Sequence, residues 1–179
     1  MSSIIKVNTF QDANGNALFS SDGSGNVTTN NLLKPAFEAY QNPAQTPGNN
    51  VWTKLTITNE TFDTDSAYDT TNSKFTVPSG QAGTYFFTLE AGGYDTSTTL
   101  NIVRLAIYKN GSAVKINTAL DTDATSIQTY FASMTAILEL SVGDYIEAYI
   151  NPAYSGTFTT LANASGQQTR FLGFKLIGA

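Results

Sequence analysis

The sequence predicts an all-β protein, a single β-sandwich behind a short hairpin segment. Three observations carry the prediction. Roughly eight to ten short apolar runs recur between turn residues, the spacing expected of a sandwich or barrel. No segment keeps a convincing helical period. Charged residues make up only 13% of the chain, while hydrophobic residues reach 41% and aromatics 12%; an average soluble protein is about 25% charged. The surface must therefore be neutral and polar, supplied by Thr, Asn, Ser and Gly, which suit strands and turns better than helix interiors.

At 179 residues the chain holds one domain plus a modest appendage. Residues 1–33 form the appendage. Ile4, Ile5, Val7 and Phe10 make a first strand-like run and Asp12-Ala13-Asn14-Gly15 a turn. Ala17, Leu18 and Phe19 make a second run, followed by the turn Asp22-Gly23-Ser24-Gly25 and then Asn26-Val27-Thr28. Two small hairpins bury too little to stand alone, so their apolar residues Ile4, Ile5, Val7, Phe10, Leu18, Phe19 and Val27 are expected to attach the chain to another surface.

Residues 34–179 form the sandwich. The Pro- and Asn-rich stretch Gln41 to Asn50 reads as a loop. Strands are expected at Lys54–Ile57, Lys74–Val77, Gly83–Leu89 and Leu100–Tyr108. The last ends in Asn110-Gly111, the favoured two-residue hairpin turn, and pairs with Val114–Ile116. Tyr130–Leu140 and Tyr145–Ile150 flank Ser141-Val142-Gly143-Asp144, and Arg170–Ile177 closes the chain. Alanines between Ala124 and Ala136 are separated by Thr, Ser and Tyr, which argues strand there, not helix.

Composition also excludes functions. Net charge is −5 and the nine Lys and Arg are scattered singly, so neither a phosphate-neutralising stripe nor a basic membrane anchor exists. No apolar run approaches the ~20 residues that span a bilayer, and the opening MSSIIKVNTFQ lacks a secretory signal. Cysteine and histidine are both absent, which removes thiol nucleophiles, disulfides, Ser-His-Asp triads and His-based zinc sites. The expectation is a protein that is not an enzyme and needs no cofactor.

The remaining site candidates are few. Asp63, Asp65 and Asp69 cluster as weak calcium candidates; they do not fit a twelve-residue calcium loop, and a solvated loop is the better explanation; Asp121 and Asp123 raise the same idea with less support. Glu90, Asp95, Glu139 and Glu147 are the carboxylates a glycosidase would draw on, yet their spacing sets no pair at the required separation. Tyr85, Phe87, Tyr108, Tyr145 and Tyr149 suit either carbohydrate stacking or packing within a core or trimer axis. Asn-x-Ser/Thr triplets begin at Asn26, Asn59, Asn110 and Asn163 and mean little without a signal peptide.

From Phe62 to Phe87 the sequence FDTDSAYDTTNSKFTVPSGQAGTYFF resembles the globular heads of complement C1q and the related tumour-necrosis-factor jelly rolls. The matching positions are Tyr68-Asp69, Phe75-Thr76-Val77-Pro78 and Gly83-Thr84-Tyr85-Phe86-Phe87. Leu105 to Gly111 resembles the family's hairpin, Leu138 to Ile146 its Leu-x-x-Gly-Asp strand pair, and Phe171-Leu172-Gly173-Phe174 its closing strand. Pro78 lacks an amide donor and fits a strand end. The resemblance implies a ten-stranded jelly roll that assembles as a homotrimer, here without preceding collagen repeats. The N-terminal piece is similar to segments that open bacteriophage fibre and virion proteins, in phrases such as Asp-Gly-Ser-Gly-Asn-Val.

Together these imply a structural protein on the outer surface of a tailed-bacteriophage virion, made in the host cytoplasm. It would serve as capsid decoration or as a fibre or receptor-binding tip. Its partners would be other virion proteins, held through residues 1–33, and a host-surface glycan or protein. The alternative from another class is a secreted or cell-surface recognition module. Neither reading calls for nucleic acid, membrane insertion or a resident metal.

Overall fold

The computed structural model describes residues 7–29, 34–97, 100–121, 127–162 and 168–178, with no helix among them. The chain divides into two compact units, Met1–Leu32 and Leu33–Ala179.

The first unit is a three-stranded antiparallel sheet of β1 (Thr9–Gln11), β2 (Ala17–Ser21) and β3 (Val27–Thr29), in that order. Phe10 and Phe19 lie in register and stack with ring centroids 4.4 Å apart.

The second unit is a jelly roll whose strands among the described residues are β4 (Ala36–Tyr40), β5 (Thr53–Lys54), β6 (Asn59–Asp63), β7 (Tyr68–Asp69), β8 (Lys74–Thr76), β9 (Gly83–Asp95), β10 (Ile102–Lys109), β11 (Ser112–Asp121), β12 (Thr129–Leu140), β13 (Tyr145–Ala153), β14 (Phe158–Thr160) and β15 (Arg170–Gly178). They form two antiparallel sheets. Sheet I runs β12-β9-β15-β4-β6, with β14 also on β9; sheet II runs β11-β10-β13-β8-β7, with β5 also on β13.

Alternation along the strands decides which side chains meet between the sheets. β9 sends Tyr85, Phe87, Leu89 and Ala91 inward, all fully buried, while β10 and β13 answer with Val103, Leu105, Ile107, Ile146, Ala148 and Ile150. Phe37 anchors an aromatic cluster at one end, 4.8 Å from Tyr68, 5.1 Å from Phe75 and 5.3 Å from Phe171 by ring centroids. Each fully buried ring contributes roughly 1.5–3 kcal/mol over an exposed one. The buried Tyr68 hydroxyl donates to the Ile57 carbonyl at 3.0 Å, so its polar tip is satisfied.

Two short signals in the sequence have clear structural causes. Gly173 pairs with Phe87 on one side and Phe37 on the other; a Cβ there would lie 2.5 Å from the Phe87 ring. Asn110-Gly111 turns with φ of 52° and 78°, the double positive φ of a type I′ hairpin. Asp144 ties that hairpin to the β12–β13 turn: it accepts from the Ser141 amide, the Lys109 ammonium and the Asn110 side chain, each at 2.8 Å.

The expected strand at Lys54–Ile57 is shorter than the pattern suggests. Thr53 and Lys54 pair with Ile150 and Tyr149, but the Thr56 amide then donates to the side-chain oxygen of Gln45 at 2.8 Å and leaves the ladder. Leu55 and Ile57 remain buried, which is the alternation the sequence displays. Conversely, the expected strand beginning at Gly83 continues to Asp95, held between β12 and β15 and then by β14.

Candidate functional site

The outward face of sheet I carries a continuous apolar strip. Because Tyr85, Phe87, Met134, Ala136 and Phe171 point inward, their neighbours Phe86, Ile137, Leu172 and Phe174 point out. Registry aligns Ile137, Phe86, Phe174 and Ala36 into one row across four strands. The next row reads Thr135, Thr88, Leu172, Glu38 and Phe62. Ile137 is 64% exposed and Phe62 46%. The third row carries charge: Arg170 donates to Glu90 at 2.6 Å and to Glu38 at 3.4 Å. The hydrogen bond and charge of Glu90 raise the Arg170 pKa above its ordinary value, with Glu38 adding.

β12 and β11 are the end strands of the two sheets and pack side by side. β12 exposes Phe131 and Ile137, and β11 exposes Val114 and Ile116. An apolar sheet face and, at its β12 end, further exposed apolar side chains of β11 and β12 therefore sit on one body.

In the first unit Val7, Phe10, Leu18, Phe19 and Val27 are exposed; Ile4 and Ile5 lie outside the described residues. The unit also holds a feature that the separate turn signals did not convey, a ten-residue structural repeat. Asp12 Oδ1 accepts the amides of Asn14 and Asn16, at 2.8 and 2.9 Å, and its Oδ2 accepts from the Asn16 side chain at 2.9 Å. Asp22 does the same with Ser24, Asn26 and the Asn26 side chain, at 2.7, 3.2 and 2.6 Å. In each turn the side-chain hydrogen bond from the Asn is the main reason the Asp pKa falls below its usual value. The spacing Asp-x-x-Gly-Asn, read twice ten residues apart, was the available signal.

The acidic candidates are each occupied locally. Asp63 accepts the Tyr68 amide at 2.7 Å, Asp65 the Thr64 hydroxyl at 2.8 Å, and Asp69 the Asn72 amide and side chain at 2.9 and 2.6 Å. Among the described residues no three acidic side chains gather in a metal-holding group. Asp123 and Asn163 lie outside the described residues, as does the Asp121 side chain.

Nor are the four carboxylates brought together. Glu90 and Glu139 face outward on sheet I about 20 Å apart, since Glu139 pairs with Thr84, six positions from Glu90. Glu147 is on sheet II, ion-paired with Lys54 at 3.0 Å. Asp95 is fully buried and accepts the Ser97 hydroxyl at 2.8 Å and the Gly156 amide at 3.2 Å.

The five aromatic candidates divide between two roles. Tyr85 and Phe87 are core; Tyr108, Tyr145 and Tyr149 face outward on sheet II, where Trp52 joins them. Trp52 was not legible as a partner because it precedes a strand of only two residues.

The two sheets and their strand order define a jelly roll of the complement C1q and tumour-necrosis-factor type. No family model and no curated protein matches the sequence. Among solved structures, the globular domain of zebrafish complement 1qA protein is similar at TM-score 0.54 and 19% identity, covering 82% of this chain and all of that one. Eiger TNF from S. frugiperda aligns at TM-score 0.51 and 12% identity over 83% and 96% of the two chains. Murine APRIL gives TM-score 0.54 and 12% identity over 78% and 96%. At these identities the likeness establishes the fold.

Proposed function

We infer that the chain is a non-enzymatic homotrimeric structural protein of a virion surface, with the jelly roll projecting outward and residues 1–33 attaching it. The observation that carries the assembly is the cross-strand row Ile137–Phe86–Phe174, a hydrophobic strip on the outward face of sheet I. A soluble body seldom leaves such a strip in water. The β11–β12 edge of a second copy, with Ile116 and Phe131, supplies the complementary apolar surface. Contact of an edge with a face is heterologous, and rotation about a three-fold axis closes it into a ring.

The attachment role rests on the first unit, a separate small sheet with Phe10, Leu18 and Val27 exposed. Such a sheet offers edge strands and alternate side chains to a partner sheet. The resemblance of its turns to phage fibre segments supports a tailed-bacteriophage virion as the setting. The test is reconstitution: the full chain mixed with particles that lack it should bind, while a chain without residues 1–30 should stay trimeric in the supernatant. Equal binding by both would remove the attachment role, and failure of both to bind any phage particle would remove the virion setting.

A further inference from the structure

The outward face of sheet II has a chemistry of its own. β10 and β13 bury Leu105, Ile107, Ile146, Ala148 and Ile150, and so turn Tyr108, Tyr145, Glu147 and Tyr149 outward. Tyr108 and Tyr149 stack with centroids 3.9 Å apart and planes 20° from parallel. Trp52, from the segment before β5, meets Tyr108 edge-on at 6.4 Å. The Lys74 ammonium lies 5.2 Å from the centre of the Tyr145 ring.

The charged groups of this face are held by ionic and neutral partners. Glu147 holds Lys54 at 3.0 Å and is nearly buried. Lys54 also donates to the Asn72 carbonyl at 2.9 Å. Alongside, Arg104 donates to the side-chain oxygens of Asn50 and Asn151 at 3.3 and 3.4 Å.

We propose that this face is a saccharide platform, which takes a neutral hexose oligosaccharide across Trp52, Tyr108 and Tyr149, with the polar tips of these rings and Lys54, itself positioned by Glu147, hydrogen-bonding its hydroxyls. The contrast with sheet I selects the ligand. The row on sheet I is Phe and Ile, side chains without polar tips, which suits a protein surface. The rings on sheet II are Tyr and Trp, each with an apolar body and a hydrogen-bonding tip. A pyranose has the matching form, an apolar C–H face rimmed by hydroxyls.

The described residues enclose no pocket, so a ligand must lie flat on the strands, as an extended oligosaccharide does. Cross-strand pairing holds Tyr108, Tyr149 and Lys54 on β10, β13 and β5, which gives the platform the rigidity of the sheet. Glu147, the acidic group of this face, is already held by Lys54, so a cationic ligand would have to break that pair to bind. The platform lies within one chain and so does not depend on the trimer; in a trimer three copies would act together by avidity.

Trp52 is the only tryptophan in the chain and reports directly on its own site. The full-length protein is titrated with cello-, malto-, manno- and chitohexaose up to about 10 mM, well above the ~1 mM range of a weak single site. At least one should shift Trp52 emission saturably, with calorimetry giving the same affinity. Tyr149→Ala should weaken that affinity at least about tenfold, a loss of one decade in the binding constant, with the mass of the assembly unchanged. If Tyr149→Ala unfolds, the double variant Tyr108→Phe/Tyr149→Phe keeps the stack and should still weaken binding by removing two hydroxyls. No saturable binding of any of the four sugars overturns the proposal, as does binding unaltered by these substitutions. Ile137→Asp, which should lose the trimer, should keep sugar binding; an Ile137→Asp variant that stays trimeric while still binding sugar would sink the assembly reading and leave the platform standing.

Discussion

Phe86 and Phe174 occupy register-paired positions on β9 and β15, with ring centroids 5.3 Å apart on the outward face of sheet I. Their strand neighbours Phe87 and Gly173 are paired on the opposite face, in the core. One pair of adjacent strands thus builds the interior with one set of residues and the proposed interface with the next.

Replacing Phe174 with Ser should weaken assembly and leave the fold. Burying a large apolar side chain is worth roughly 1.5–3 kcal/mol, and every 1.4 kcal/mol is about tenfold in a dissociation constant, so each interface should weaken roughly tenfold to a hundredfold. Ile137→Asp, which places a charge in the same row, should act more strongly. Sedimentation across a dilution series reads both, and unchanged assembly would remove the row from the interface.

Gly173→Ala should act on the fold itself. The added methyl meets the Phe87 ring at 2.5 Å, and overpacking of this kind costs about 1–3 kcal/mol. In a chain of this size each kcal/mol lowers the melting temperature by about 2–4 °C. A thermal scan of the variant should therefore melt several degrees below the parent; an unchanged transition would mean that Phe87 and Phe37 move aside freely.

Asp144 predicts acid sensitivity with a definite sign. Hydrogen bonds from Lys109 and Asn110 lead in lowering its carboxyl to about 2 from 3.8. A carboxyl with a depressed folded-state pKa stabilises above its unfolded value, and that contribution is lost as pH falls toward the folded value. The melting temperature should decline between about pH 4 and pH 2, and Asp144→Asn should lower it at neutral pH while flattening part of that decline. Asp12, Asp22 and Asp69 are lowered too, so a residual slope remains. An Asp144→Asn variant with the full acid slope of the parent would contradict the role of this cluster.

The sandwich was legible because its signals are local and repeated. Asn110-Gly111, the Val77-Pro78 strand end and the alternation from Gly83 each declare their conformation within a few residues. The β4–β6 pairing is less local, joining Phe37 to Asp63 and Glu38 to Phe62 across the Gln41–Asn50 loop, and no pattern in either segment specifies it. The loss of the ladder after Lys54 was hidden for a similar reason: it depends on Gln45, nine residues earlier, whose amide also donates to the Lys54 carbonyl at 3.0 Å.

The candidate surfaces were legible only in part. The apolar residues of the first unit stand out in sequence, yet the matched bonding of its two Asp turns emerges only from geometry. The outward aromatic face of sheet II needed the fold, because the alternation that separates Tyr85 and Phe87 from Tyr108 and Tyr149 acquires a direction only once the two sheets are placed against each other.

Sedimentation equilibrium of the full chain at micromolar concentration tests most directly whether three copies close edge to face. The expected mass is three times 19.1 kDa, independent of rotor speed and stable on dilution. A single species at the mass of one chain over the same range would contradict it.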